Sequence, residues 1–218
     1  MRRAALVLAT VAFAATGAPL TAGAAPATSA RGVYLIQPDS GTVLSAKQAF
    51  KGRSIASTTK LMTAYVTLKE VSLSDRFTAI NYQGDPIETK AGLRPGKRIS
   101  VRDLLEAMLL PSANDAAATL AVGVAGSTRR FVHMMNVQAR KLGLRNTHYT
   151  NPIGLDVPAG NRSSPRDLAT LAGVLNENAF FRRTVAKSSA RINIGGSYKT
   201  VENHNNLRSE EHTSELQS

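Results

Sequence analysis

Ser57-Thr58-Thr59-Lys60 places a hydroxyl and an amine three residues apart. On a helix that spacing puts both side chains on one face and in reach of each other. A serine hydroxyl is a poor nucleophile until a base removes its proton, and a lysine does this only when burial or a neighbouring cation destabilises its ammonium. A helix start also supplies free backbone N–H groups that can hold an oxyanion. The plain alternative is a capping serine followed by a solvated lysine. Ser112-Ala113-Asn114 is the second polar cluster, directly after Pro111 on a turn between two apolar segments. It could deliver a hydroxyl and an amide into a shared cleft, or simply cap a helix. Neither triplet decides alone; order, spacing and flanks do.

The elements that must position these groups are legible from periodicity. Val33-Tyr34-Leu35-Ile36 reads as a strand, and the Asp39-Ser40-Gly41 turn leads to Val43-Leu44, an N-terminal hairpin. Leu61, Ala64, Tyr65 and Leu68 recur at helical spacing and predict a helix over 58–73. Residues 74–99, punctuated by Gly84, Pro86, Gly92, Pro95 and Gly96, read as a connection. Ser100 with Asp103 predicts a capped helix start, Leu104, Leu105, Met108 and Leu109 its buried face, and Pro111 its end. An Ala-rich helix over 114–125 would pack closely on its neighbours. Thr128 is the expected cap of the next helix, with Phe131, Met134, Met135 and Leu142 inward and Gly143 at its end. Residues 144–162 read as a long loop, and Ser164-Pro165 starts a further helix. Arg191–Thr200 alternates around Gly195-Gly196 like a hairpin. Strands, then helices, then strands suggest an α+β domain whose sheet is built from both ends of the chain.

Composition narrows the chemistry. The 218 residues contain no Cys, which excludes disulfides, thiolate metal sites and thiol catalysis. His133, His148, His204 and His212 lack metal-binding spacing, so no metal or organic cofactor is expected. Met62, Met108, Met134 and Met135 fall at apolar helical positions, as core residues would. Asp115, Asp156 and Asp167 read as loop braces. The formal charge of +12 suits anionic cell-wall polymers or a membrane surface better than nucleic acid, since no stacking-aromatic motif accompanies it. Residues 1–24 read as a secretory signal peptide: a basic start, an apolar run too short to span a bilayer, and Ala22-Gly23-Ala24 as a cleavage pattern. The expected location is therefore outside the cytoplasm, in the periplasm or cell envelope. Residues 208–218 resemble a translated sequencing-adapter tail and are expected to be non-native, leaving 25–207 as the domain.

With these pieces together, a resemblance becomes specific. Ile55 through Ala64 resembles the nucleophile segment of the D-Ala-D-Ala carboxypeptidases, the low-molecular-mass penicillin-binding proteins. Gly92-Leu93-Arg94-Pro95-Gly96, Asp103-Leu104-Leu105 and Leu110 through Ala117 are similar to the family's second block. Phe131-Val132 to Asn136, Leu142-Gly143 and Asn151 through Asp156 match a third, and Ser164 to Ala169 and Asn203-His204-Asn205-Asn206-Leu207 follow in family order. The resemblance spans about residues 30–207 and implies a β-lactamase/transpeptidase-like domain, an antiparallel sheet with helices on both sides. It implies a serine peptidase that removes the terminal D-alanine of a peptidoglycan stem peptide through an acyl-enzyme, and that β-lactam antibiotics acylate. It implies Ser57 as nucleophile, Lys60 as general base, Ser112 as proton relay toward the leaving amine, Asn114 as holder of the substrate backbone, and the Ser57 N–H as an oxyanion donor.

One family element is missing. A K-T-G strand should follow the Asn203–Leu207 segment; Lys199-Thr200 precedes it and continues with Val201, not Gly. That strand carries a second oxyanion donor and the cation for the substrate carboxylate; loss of one such donor costs about 10²–10³ in rate. The chain is thus expected to be a C-terminally truncated member, nearly inactive and poorly stable, with apolar sheet surface exposed. A class A β-lactamase is disfavoured: Ser112-Ala113-Asn114 stands where S-D-N is needed, and residues 144–176 hold no E-x-x-L-N. A D,D-endopeptidase of the same family and a non-catalytic exported wall-binding protein are the other readings.

Overall fold

The computed structural model describes residues 28–155 and 160–205. The expected signal peptide, the tail, Asp156 and His212 lie outside them. Strands β1 (Val33–Ile36) and β2 (Val43–Lys47) form the expected antiparallel hairpin. Its apolar Leu35, Val43 and Leu44 are exposed. Helix α1 (Lys60–Glu70) is preceded by a 3₁₀ turn at Ala56–Thr59. The helix is embedded on most sides: Lys60, Met62, Thr63, Ala64, Val66 and Thr67 are all buried, a wider face than the Leu61/Ala64/Tyr65/Leu68 stripe alone predicts.

A short strand β3 (Arg53–Ser54) lies just before the 3₁₀ turn, and the stretch read as a connection contains two more, β4 (Arg76–Thr78) and β5 (Arg98–Ser100), which pair antiparallel. These pairs are too short to show alternation, so periodicity could not reveal them. Ser100 caps α2 (Val101–Leu109) as expected, accepting from the Asp103 N–H at 3.1 Å. Helix α3 (Asn114–Ala125) is buried from Asn114 through Ala121; its small side chains let α1, α2 and α4 (Thr128–Lys141) approach closely. The cap of α4 is Ser127, not Thr128: the Ser127 Oγ accepts from the Arg130 N–H, and Thr128 is the first helical residue.

Strand β6 (Arg162–Ser163) pairs antiparallel with β3, and Arg162 also exchanges backbone hydrogen bonds with His148. The expected long loop is thereby tied down at its C-terminal end beside the segment leading to Ser57. Ser164 caps α5 (Pro165–Glu177), and Asn178 caps α6 (Ala179–Val185), which the sequence reading had not separated. The last hairpin, β7 (Ser189–Asn193) with β8 (Tyr198–Glu202), turns at Gly195-Gly196 as expected and starts two residues earlier.

The fold is α+β with antiparallel pairing throughout. Among the described residues the strands form four separate two-stranded ladders, and the two end hairpins are not joined in one sheet. Helix α5 packs on β1, and α2 packs on β7. The aliphatic core runs through Met62, Leu104, Leu105, Met108, Leu120, Met135, Leu171 and Ile192, all essentially inaccessible, with Phe131 as its main aromatic. Burial of such side chains stabilises by about 1.5–3 kcal/mol each. Met134 is only partly buried against this core.

Candidate active site

Ser57 sits in the 3₁₀ turn with its side chain exposed, one step before the buried start of α1. Ala56 holds a left-handed φ of 42°, a conformation unfavourable for a residue with a side chain. Lys60 is only 4% exposed, and its Nζ donates to Ser57 Oγ at 3.1 Å and to the Ile153 carbonyl at 2.7 Å. The spacing therefore produces the contact it predicted, and the lysine is not solvated. Burial lowers its pKa from 10.5 to about 8, opposed by the charge of Glu88. Both partners of the amine are neutral oxygens, so nothing in contact restores the cost of burying an ammonium. A sizeable neutral fraction at mild pH is what a general base requires.

The loop carrying Ile153 is held against α1 by polar contacts. Asn151 Oδ1 accepts from the N–H groups of Ile153, Gly154 and Leu155, the shortest at 2.7 Å from Gly154. Asn161 is fully buried; its Nδ2 donates to Thr59 Oγ1 at 2.7 Å and to the Asn151 carbonyl at 3.0 Å, while its Oδ1 accepts from the Thr150 N–H at 2.7 Å. Thr63 Oγ1 donates to the Pro152 carbonyl at 2.7 Å. Gly154 has φ +95°, and a Cβ there would stand 2.2 Å from the Ala56 carbonyl oxygen and 2.9 Å from Ser57 N. Only glycine allows this loop to lie against the backbone of the Ser57 turn.

Ser112 also holds a left-handed φ, 64°, and is half-buried. Among the described residues, two of the three non-glycine residues with positive φ thus adjoin or form the motif serines. Strain of this kind persists where the surrounding structure over-determines it, and it clusters at functional sites. The Ser112 hydroxyl makes no hydrogen bond among the described residues, and none joins it to Ser57 or Lys60. Asn114 begins α3, is 7% exposed, and its Nδ2 donates to Glu88 Oε2 at 2.7 Å. Tyr82 donates to the same oxygen at 2.5 Å. The sequence reading missed Glu88, Tyr82, Asn151 and Asn161. Glu88 and Tyr82 fall in the stretch read as connection, with no motif to single them out.

Asp115 and Asp167 act as the braces expected. Asp115 accepts from the N–H groups of Ala91, Gly92 and Leu93 at 2.9, 2.9 and 3.0 Å, fixing the Gly92–Gly96 loop over α3. Asp167 accepts from the Asn146 N–H at 2.8 Å and Thr147 Oγ1 at 2.9 Å. Lys199, the look-alike of a K-T-G lysine, lies on β8 and donates to the Ala91 carbonyl at 2.9 Å.

Residues 20–215 match the family described as D-alanyl-D-alanine carboxypeptidase. The chain belongs to that family. It is 34% identical over 224 residues to the D-alanyl-D-alanine carboxypeptidase of Streptomyces sp. strain K15, covering 94% of this chain and 77% of that one. It is 39% identical over 162 residues to the D-alanyl-D-alanine carboxypeptidase DacC of Escherichia coli K12, covering 69% of this chain and 40% of the relative. Against DacD of the same organism the chain spans 43% of the relative's length. In structure it is similar to the D-alanyl-D-alanine carboxypeptidase of Mycobacterium tuberculosis H37Rv, with TM-score 0.79 and 31% identity over 84% of this chain and 70% of that one. It is likewise similar to penicillin-binding protein 6B of Escherichia coli, with TM-score 0.78 and 32% identity over 87% and 62% of the two chains. The family is one of serine-type peptidases, and in this chain the Ser57 hydroxyl and the buried Lys60 amine lie within hydrogen-bond distance.

Proposed function

We propose that this carboxypeptidase-family chain cleaves the terminal D-alanine from peptidoglycan stem peptides and that β-lactams acylate the same serine. The observation that carries the reading is the buried Lys60 amine, 3.1 Å from an exposed Ser57 hydroxyl and with only neutral acceptors in contact. In the proposed sequence neutral Lys60 takes the Ser57 proton as Oγ attacks the penultimate carbonyl. The C–N bond then breaks, the amine of D-alanine leaves with a proton relayed through Ser112, and an acyl-Ser57 ester remains. Water attacks that ester, gives a proton to the base, and releases the shortened peptide with Ser57 restored. The Ser57 N–H supports the oxyanion, and Asn114 holds the peptide backbone. The assignments of Ser112 and Asn114 rest on the family motif, supported by the free hydroxyl of Ser112 and the rigid placement of Asn114.

The expected signal peptide and the proposed substrate support a location outside the cytoplasm, in the periplasm or cell envelope. The basic surface would favour wall or membrane association; among the described residues no helix is long and apolar enough to cross a membrane. A D,D-endopeptidase using the same residues differs in product alone, so a stem pentapeptide and a cross-linked dimer separate the two. The decisive test is covalent labelling by a fluorescent penicillin in the protein expressed from its full reading frame. Mapping the label to Ser57 supports the reading; an unlabelled, folded protein refutes it. The 218-residue chain, which contains no K-T-G sequence, should label far more slowly.

A further inference from the structure

Asn161 is fully buried, yet the chemistry just described gives it no part. It stands immediately before β6, whose two residues pair with β3 just ahead of the Ser57 turn. Its amide is held at both ends. Oδ1 accepts from the N–H groups of Thr150 and Asn151 at 2.7 and 3.1 Å. A backbone N–H can meet only the oxygen end of an amide, so the nitrogen end is fixed on the other side. There Nδ2 donates to Thr59 Oγ1 at 2.7 Å and to the Asn151 carbonyl at 3.0 Å. Thr59 is itself fully buried and lies between Ser57 and Lys60 in the chain. One side chain therefore ties the turn that carries the hydroxyl and the amine to the loop that carries the Ile153 carbonyl, across 102 positions of chain.

We propose that Asn161 is a positioning residue for the base: wedged between Thr59 and the Thr150–Asn151 backbone, its amide sets where the Ile153 carbonyl stands against Lys60, and so the direction in which the amine faces Ser57. This rests on the reading of Lys60 as the general base. An uncharged amine has two N–H donors and one lone pair. The Ile153 carbonyl, 2.7 Å from Nζ, takes an N–H, which leaves the lone pair to face the Ser57 hydroxyl 3.1 Å away. With that carbonyl displaced, an amine on a flexible side chain turns freely, and its lone pair points at Ser57 only part of the time.

The neighbouring contacts divide the work. Asn151 Oδ1 gathers the N–H groups of Ile153, Gly154 and Leu155, so this part of the loop moves as one piece with Asn151. Thr63 Oγ1 anchors the Pro152 carbonyl to α1, three residues beyond Lys60. Asn161 fixes Asn151 itself, through both its N–H and its carbonyl, and Thr59 is the point to which it is fixed. Loss of the Thr59–Asn161 bond leaves the loop able to pivot about the Thr63 contact. A misplacement of about 1 Å at reacting groups can cost about 10²-fold in rate, so even partial loosening reaches the chemical step.

The test uses the protein expressed from its full reading frame, with Thr59→Val, Thr59→Ser and Asn161→Ala. Penicillin labelling of Ser57 in the unaltered protein comes first; its absence defeats the underlying reading and this inference together. Given labelling, acylation is followed against penicillin concentration, which separates the saturating rate from the half-saturating concentration. Valine keeps the shape of Thr59 and removes the oxygen that accepts from Asn161, so the saturating rate is expected to fall about tenfold. The half-saturating concentration should stay within about twofold, because Thr59 and Asn161 are both buried away from any ligand. Serine keeps that oxygen and should restore the rate to within about threefold of the unaltered protein. Asn161→Ala should fall at least as far as Thr59→Val, and the two together no further than Asn161→Ala alone, since both break one link. A saturating rate for Thr59→Val within about threefold of the unaltered protein overturns the inference. So does a Thr59→Ser as slow as Thr59→Val, or a double variant whose loss is the product of the two single losses. The Thr59 variants, which preserve the fold of the loop residues, decide the matter if Asn161→Ala fails to fold.

Discussion

Two of the buried charged residues, Glu106 and Lys60, sit on neighbouring helices and are handled in opposite ways. Glu106, inside α2, is 6% exposed at its side chain and forms an ion pair with Lys187 at 2.5 Å. Lys60, at the start of α1, is buried to a similar degree but contacts only a hydroxyl and a carbonyl. A buried ion answered by an opposite charge braces the structure. An unpaired one is pushed toward its neutral form, which for lysine means a base. Burial alone therefore does not distinguish a structural charge from the proposed base; the charge of the contacting atoms does.

The comparison breaks most visibly at the amine itself. Lys60→Met should lower penicillin acylation of Ser57 by about 10²–10⁴-fold, the range for a lost general base; unchanged labelling would return Lys60 to the structural class. The same variant sharpens the comparison through stability. The folded pKa of Lys60, about 8, lies below its ordinary 10.5, so the unfolded chain binds more protons between these values. Relative to Lys60→Met, the unaltered protein should gain stability as pH rises from about 8 to 10.5, by at most about 3 kcal/mol, with no difference in slope below that window. Denaturant melts of the two proteins across pH would show it.

On the paired side, Lys187→Ala strands a buried carboxylate. Breaking a buried pair costs about 3–5 kcal/mol; with the Lys187 side chain 42% exposed, roughly 2–3 kcal/mol is expected, read as a lower denaturation midpoint. Glu106→Gln, which leaves only a solvent-accessible lysine unpaired, should cost less. The order of the two variants is the check: a costlier glutamine would mean the carboxylate does more than answer Lys187. Gly154→Ala should cost about 1–3 kcal/mol for the strained backbone alone, with the collision of the new Cβ added to it. Its new Cβ meets the Ala56 carbonyl, so the loop must shift and carry the Ile153 carbonyl away from Lys60. Acylation should therefore fall by more than the stability loss accounts for.

The local signals in the sequence were strong where one residue's chemistry sets its neighbours' backbone. Ser100 and Asp103, Ser164 and Pro165, Asn114 at the head of a small-residue helix, and the Ser57/Lys60 spacing all act within a single turn, and each is where it was expected. The exception within that range, the cap at Ser127 in place of Thr128, is a choice between adjacent hydroxyls that local sequence barely discriminates. Two- and three-residue strands such as β3 with β6 left no trace, because their pairing partner is more than a hundred residues away and no alternation can develop.

The sequence by itself determined which groups could react: a hydroxyl and an amine one helical turn apart, a second hydroxyl and an amide on a turn, and no thiol. Tertiary structure alone decided that Lys60 is buried without a counterion, that Gly154 brings a carbonyl onto it, that Asn161 pins that loop, and that Glu88 meets Asn114 across 26 positions of chain. Proton affinity depends on desolvation and on every nearby dipole, whatever its distance along the chain, so it is a property of the folded surroundings and not of the motif.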